Sequence, residues 1–171
     1  HTLTMQSRDF LAQCAIRFGR FNLAIPVLEE LLELRKVKPG PRHPATLTAM
    51  HDLALACSES GDRERGRILG EEAVRLRREV LGERDRELIS RRNTVAMVYT
   101  LAGQPKEALR RYQQVVELRK DTLGISDPQT LHSKANLGQV YAAVGQLEEA
   151  IAETEEALRG MEAIKWDHPS V

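Results

Sequence analysis

Only two cysteines, Cys14 and Cys57, occur in 171 residues, so the fold has no disulfide framework to lean on. Both fall among apolar helical positions, as the buried, reduced thiols of a cytoplasmic protein would. Net charge is also missing: 25 basic residues meet 25 acidic ones, and no overall field draws the chain to nucleic acid or an anionic membrane. Acidic residues such as Glu29, Glu30, Glu71 and Glu72 interrupt the basic stretches, which argues further against nucleic acid. Apolar runs extend for only a few residues, far short of a membrane span. Residues 1–20 carry Arg8, Asp9 and Arg17 and lack the apolar block of a signal peptide.

The chemistry of catalysis is equally sparse. The sequence contains no His-Glu-x-x-His, no Cys-x-x-Cys and no Walker-type glycine loop. His1, His43 and His168 stand at helix starts, and His51 and His132 are isolated. Carboxylate pairs such as Glu148-Glu149 and Glu155-Glu156 follow the solvated face of amphipathic helices. No catalytic residue, metal or cofactor is therefore expected, and the chain reads as a non-enzyme.

Regular repetition is abundant. Glycine recurs at 19, 61, 103 and 145, a constant spacing of 42 residues, and other columns keep the same period. Gly40, Gly82 and Gly124 form one, with Trp166 in the fourth place; Ala24, Gly66, Ala108 and Ala150 form a column of small residues. His1, His43, Asp85 and Asp127 open each unit. Such periods mark an array whose repeats are too small to fold alone.

Each unit reads as two helices. In the fourth, Asp127-Pro128 supplies a capping oxygen and a first-turn proline. Leu131, Leu137, Val140, Tyr141 and Val144 then trace one apolar stripe, and Gly145 ends the helix in the left-handed region. A second helix runs from Leu147 to about Ala163. The other units read alike, over 1–18 and 21–37, 43–60 and 63–80, 85–102 and 105–122. The fold expected is all-α: a solenoid of four antiparallel hairpins, helix A then helix B, with repeats at about 1–42, 43–84, 85–126 and 127–167 in one domain, 1–171. "DHPSV" at 167–171 restarts the linker motif, with 168–171 as the start of a fifth repeat, so a longer parent protein is expected. The small column marks where helix B approaches helix A. With roughly 1 kcal/mol of helix propensity to gain, Gly66→Ala is expected to raise the melting temperature.

These residues resemble the tetratricopeptide repeats. Helix A of that family carries a Leu, a small residue, an aromatic and a glycine, matched by Leu137-Gly138, Tyr141, Gly145 and by Val95-Ala96, Tyr99, Gly103. Leu53-Ala54, Cys57, Gly61 and Leu11-Ala12, Ala15, Gly19 keep the spacing without the aromatic. Ala108 and Tyr112 match the helix B pattern. The 42-residue period and linkers such as "LGISDPQTL" are similar to kinesin light chains, a type also found in C-terminal arrays of NACHT and NB-ARC signalling NTPases. The resemblance implies a right-handed superhelix whose A helices line a concave face.

The A-helix positions off the apolar stripe give that face independently. In order they are Gln6, Thr48, Ser90 and His132; Asp9, His51, Asn93 and Ala135; Phe10, Asp52, Thr94 and Asn136; Gln13, Leu55, Met97 and Gln139; with Arg17 nearby. Neutral hydrogen-bonding groups dominate, as suits a peptide backbone with a few side-chain pockets. The resemblance implies a ladder of asparagines that holds cargo peptides; Asn136 matches it, Asn93 sits one residue out of line, and Asp9 and Asp52 replace it in the first two units. A Lys/Arg clamp for C-terminal carboxylates is absent from these columns. Arg35-Lys36, Arg77-Arg78 and Arg119-Lys120 recur at B-helix ends, where cations offset the helix dipole at about 0.3–1 kcal/mol each. The expected function is a protein–protein interaction module that takes a peptide or partner domain. The alternative is a self-associating array, or the regulatory arm of a signalling NTPase, using exposed array ends such as Met161, Ile164 and Trp166.

Overall fold

The computed structural model describes residues 4–83 and 85–167. His1 and the 168–171 segment lie outside the described residues, as does the side chain of Trp166. Eight α-helices and no strand occur among the described residues: α1 (Met5–Arg17), α2 (Phe21–Val37), α3 (Pro44–Glu59), α4 (Arg63–Leu81), α5 (Arg86–Leu101), α6 (Pro105–Leu123), α7 (Pro128–Ala143) and α8 (Leu147–Asp167). Odd-numbered helices are the A helices and even-numbered ones the B helices. Helix α8 continues four residues beyond the end read from the sequence, carrying the backbone of Trp166 in place of a linker glycine. None of these helices is long and apolar enough to cross a membrane.

The helix starts are set by local chemistry. Asp127 accepts a hydrogen bond from the Gln129 amide at 2.8 Å, Asp85 from that of Leu88 at 2.7 Å, and His43 Nδ1 from that of Ala45 at 3.2 Å. At the A–B turns Gly19 and Gly145 adopt φ of +65° and +85°, a region that costs glycine nothing.

The chain forms two compact units, His1–Ala102 with α1–α5 and Gly103–Val171 with α6–α8. In the first, Leu28, Leu31, Leu47, Leu53 and Cys57 are 2% exposed or less and build the core; Cys14 is half-buried. In the second, Tyr112, Val115, Val116, Leu131, Leu137 and Val140 do the same.

The small column is buried throughout, but Gly66 has no room to spare. A Cβ there would lie 1.9 Å from Ser58 Oγ, 2.6 Å from the Ala54 carbonyl oxygen and 2.9 Å from the Ser58 nitrogen. Two of these neighbours are the backbone of α3, which a rotamer change cannot move. The stabilisation expected from helix propensity is therefore overturned by the α3–α4 contact. In the α7–α8 hairpin the glycine stands on the other helix: a Cβ on Gly138 would meet Thr154 Oγ1 at 2.4 Å.

Candidate functional site

The A-helix residues divide sharply by accessibility. In the first unit Gln6, Gln13 and Arg17 of α1 are exposed; Thr48 of α3 and Ser90, Asn93, Thr94 and Met97 of α5 are partly exposed. In the second unit α7 exposes His132 and Gln139 and leaves Asn136 partly exposed. Phe10, in the column of Asp52 and Thr94, is 71% exposed.

His51 does not belong to this surface. It is only 2% exposed, because α3 packs against α2, α4 and α5 and this position is covered. The equivalent position in α7 is Ala135, and a small residue in the column was the one sequence sign of a close approach.

The two carboxylates of the face are engaged internally. Asp9 of α1 pairs with Arg35 of α2 at 2.6 Å. Asp52 of α3 pairs with Arg91 of α5 at 3.2 Å, and Arg91 also holds Glu87 at 2.6 Å. Burial raises the Asp52 carboxyl above the ordinary aspartate range, while Arg91 opposes that rise. Asp9 and Asp52 are thus part of the scaffold's own charge balance, not open anchors for a cationic ligand.

The dibasic ends of the B helices split into two roles. The first arginine of each pair is buried and reaches the next A helix. Arg35 donates to the Ala45 carbonyl at 3.1 Å, Arg77 pairs with Asp85 at 3.1 Å, and Arg119 donates to the Gln129 carbonyl at 2.7 Å and Ser133 Oγ at 2.5 Å. The second residue of each pair makes local surface contacts, such as Lys36 with Glu33 and Lys120 with Glu117. Arg119→Met is accordingly expected to cost about 1–3 kcal/mol, by removing its bonds to the Gln129 carbonyl and the buried Ser133 hydroxyl, and Lys120→Met less than about 0.5 kcal/mol. Chemical denaturation of the two variants measures the difference.

A second ladder stands at the turn end of the hairpins. Tyr99 donates to Glu71 at 2.7 Å, and one period later Gln113 donates to Tyr141 at 3.0 Å. Cys57, fully buried, takes the aromatic's place in the second hairpin. Its facing residue Glu29 turns to Arg65 instead, and burial pushes the thiol above its usual value.

Sequence reasoning missed Lys134. This side chain is 2% exposed, and its Nζ lies 2.9 Å from both Glu153 and Glu156 of α8. Burial pulls the ammonium down, but the two carboxylates outweigh it and the net shift is upward. Arg8, at the equivalent place in α1, pairs with Glu30 of α2 at 2.7 Å. The period carries this signal too: positions 8 and 134 are both cations, and 30 and 156 both glutamates.

The tetratricopeptide-repeat family model matches residues 1–79, 62–121 and 86–163. Among solved structures, nearly identical TPR-like repeats of a kinesin light chain from Podosopora anserina superpose with a TM-score of 0.79 at 25% identity, over 94% of this chain and 76% of that one. BtubC (BKLC) from P. vanneervenii gives 0.85 at 23% identity, over 98% of this chain and 66% of that one. A Rap protein complexed with competence and sporulation factor gives 0.79 at 13% identity, over 99% and 46%. The curated proteins contain no match. The fold is that of an all-α helical-repeat solenoid.

Proposed function

Because the chain belongs to the tetratricopeptide-repeat family, with repeats of the kinesin-light-chain type, we propose that the outward side chains of its A helices bind an extended segment of a partner protein. The repeats make it a protein–protein interaction module, on a fold that is typically a non-catalytic scaffold. What carries the finer reading is the chemistry left accessible on the A helices. Gln6, Gln13, His132 and Gln139 are exposed, Ser90, Thr94 and Asn136 partly so, and all are hydrogen-bonding groups suited to a peptide main chain. Since Asp9 and Asp52 are already paired, binding is expected to depend only weakly on salt.

A peptide-library capture on the immobilised chain tests this reading. Joint replacement of Asn93, Asn136 and Gln139 by alanine is expected to weaken capture at least about tenfold, a loss of ~1.4 kcal/mol, with the melting curve little changed. Full affinity in that variant would sink the proposal.

A second reading draws on α8. Leu147, Ile151 and Leu158 are 54–62% exposed, whereas Leu32, Val74 and Val116, in the column of Leu158, are 9% exposed or less. Such a face fits association with another copy or with a further domain of the same polypeptide. Light scattering of the chain and of Leu158→Lys distinguishes these: dimers abolished by the substitution support self-association, and a monomer in both rules it out.

A further inference from the structure

His51 sits in the core of the first unit with neither Nδ1 nor Nε2 hydrogen-bonded. A neutral imidazole carries one N–H donor and one acceptor, so both are held there unsatisfied. The charges that act on the ring are the guanidiniums of Arg91 on α5 and Arg77 on α4. Nearby carboxylates are committed elsewhere: Asp52 and Glu87 to Arg91, Asp85 to Arg77, and Asp9 of α1 to Arg35 of α2. A proton on His51 would therefore make a buried imidazolium that faces two cations and has no counter-ion.

We propose that His51 is an acid trigger, whose protonation opens the first unit and dismantles the A-helix face carried by α1, α3 and α5 while α6–α8 stay folded. Burial first, then Arg91 and Arg77, push the ring's pKa down to about 3 from the ordinary 6.5. The folded unit keeps the ring neutral, and the opened chain protonates it near pH 6.5. The stabilisation is complete above that pH and drains away as pH falls toward 3. With one extra proton in the open form, the open-to-closed ratio rises about tenfold per pH unit below ~6.5. Asp52 works in the opposite sense: its raised value favours proton uptake in the folded state, so it tempers the acid loss. In the second unit the histidine of α7, His132, is exposed.

Hydrogen exchange on the whole chain, read helix by helix between about pH 7.5 and 5 and corrected for intrinsic rates, tests the trigger. The expected result is a fall in protection of α1–α5 of about tenfold per unit below ~6.5, a flat profile for α6–α8, and loss of the dependence in His51→Leu. The same slope in His51→Leu, or an equal fall in both units, overturns the proposal. Should His51→Leu not fold, an NMR titration of the wild-type imidazole decides. A ring that takes its proton between about pH 5.5 and 7 while the amides of α3 stay protected refutes the trigger; a ring that stays neutral until those amides open supports it.

Discussion

Alanine at position 66 is expected to destabilise the first unit by about 1–3 kcal/mol, the range for overpacking a close-packed site. Helix propensity taken alone assigns the opposite sign, a gain of roughly 1 kcal/mol. Geometry decides between them. The added methyl group would stand 2.6 Å from the Ala54 carbonyl oxygen, and Ser58 Oγ is itself anchored to that oxygen at 2.9 Å. Relief needs α3 and α4 to separate, which loosens the packing around Leu53 and Ala54. Gly70→Ala is the control, since its Cβ would meet only Val95 Cγ2 at 3.1 Å and Ala54 Cβ at 3.7 Å. Urea denaturation of the two variants should rank Gly66→Ala well below Gly70→Ala; equal midpoints would show that α3 and α4 part at little cost.

Lys134→Met is expected to cost the second unit about 2–4 kcal/mol. Breaking a buried ion pair from one side typically costs ~3–5 kcal/mol, and Glu156, 46% exposed, regains part of its hydration, which lowers the figure. The loss should come from the abandoned carboxylates and not from packing, because methionine nearly fills the volume of lysine. Combining Lys134→Met with Glu153→Gln and Glu156→Gln should restore most of the stability. A deficit that persists in the triple variant would trace the cost to shape.

The fold was legible because its signal is periodic. Turn glycines, capping residues and apolar stripes repeat four times, so no single local ambiguity could shift the register. Residues that depart from the repeat were harder to read. Burial of His51 depends on three helices that close around α3, a relation no single helix pattern contains. Gly66 reads as a weak helix residue until the α3 backbone is placed against it. Lys134 falls in a run that looks polar along its own helix, and only α8 supplies the two carboxylates that hold it. Asp9 and Asp52 were correctly placed on the A helices. Their arginine partners lie 26 and 39 residues away in sequence, so their engagement could not be read from their own columns.

Two of the three arginines that link hairpin to hairpin end on main-chain oxygens, those of Ala45 and Gln129. Every amino acid offers a carbonyl, so the main-chain part of these joints makes no demand on residue identity, although Arg119 also uses the Ser133 hydroxyl. Tandem duplication or deletion of a 42-residue block would preserve that main-chain part without a compensating substitution. The joint between α4 and α5 differs, because Arg77 grips the carboxylate of Asp85, which also caps α5. Arrays of this kind should therefore change length most freely at the first joint, keep an acidic residue wherever the second is copied, and keep a hydroxyl wherever the third is.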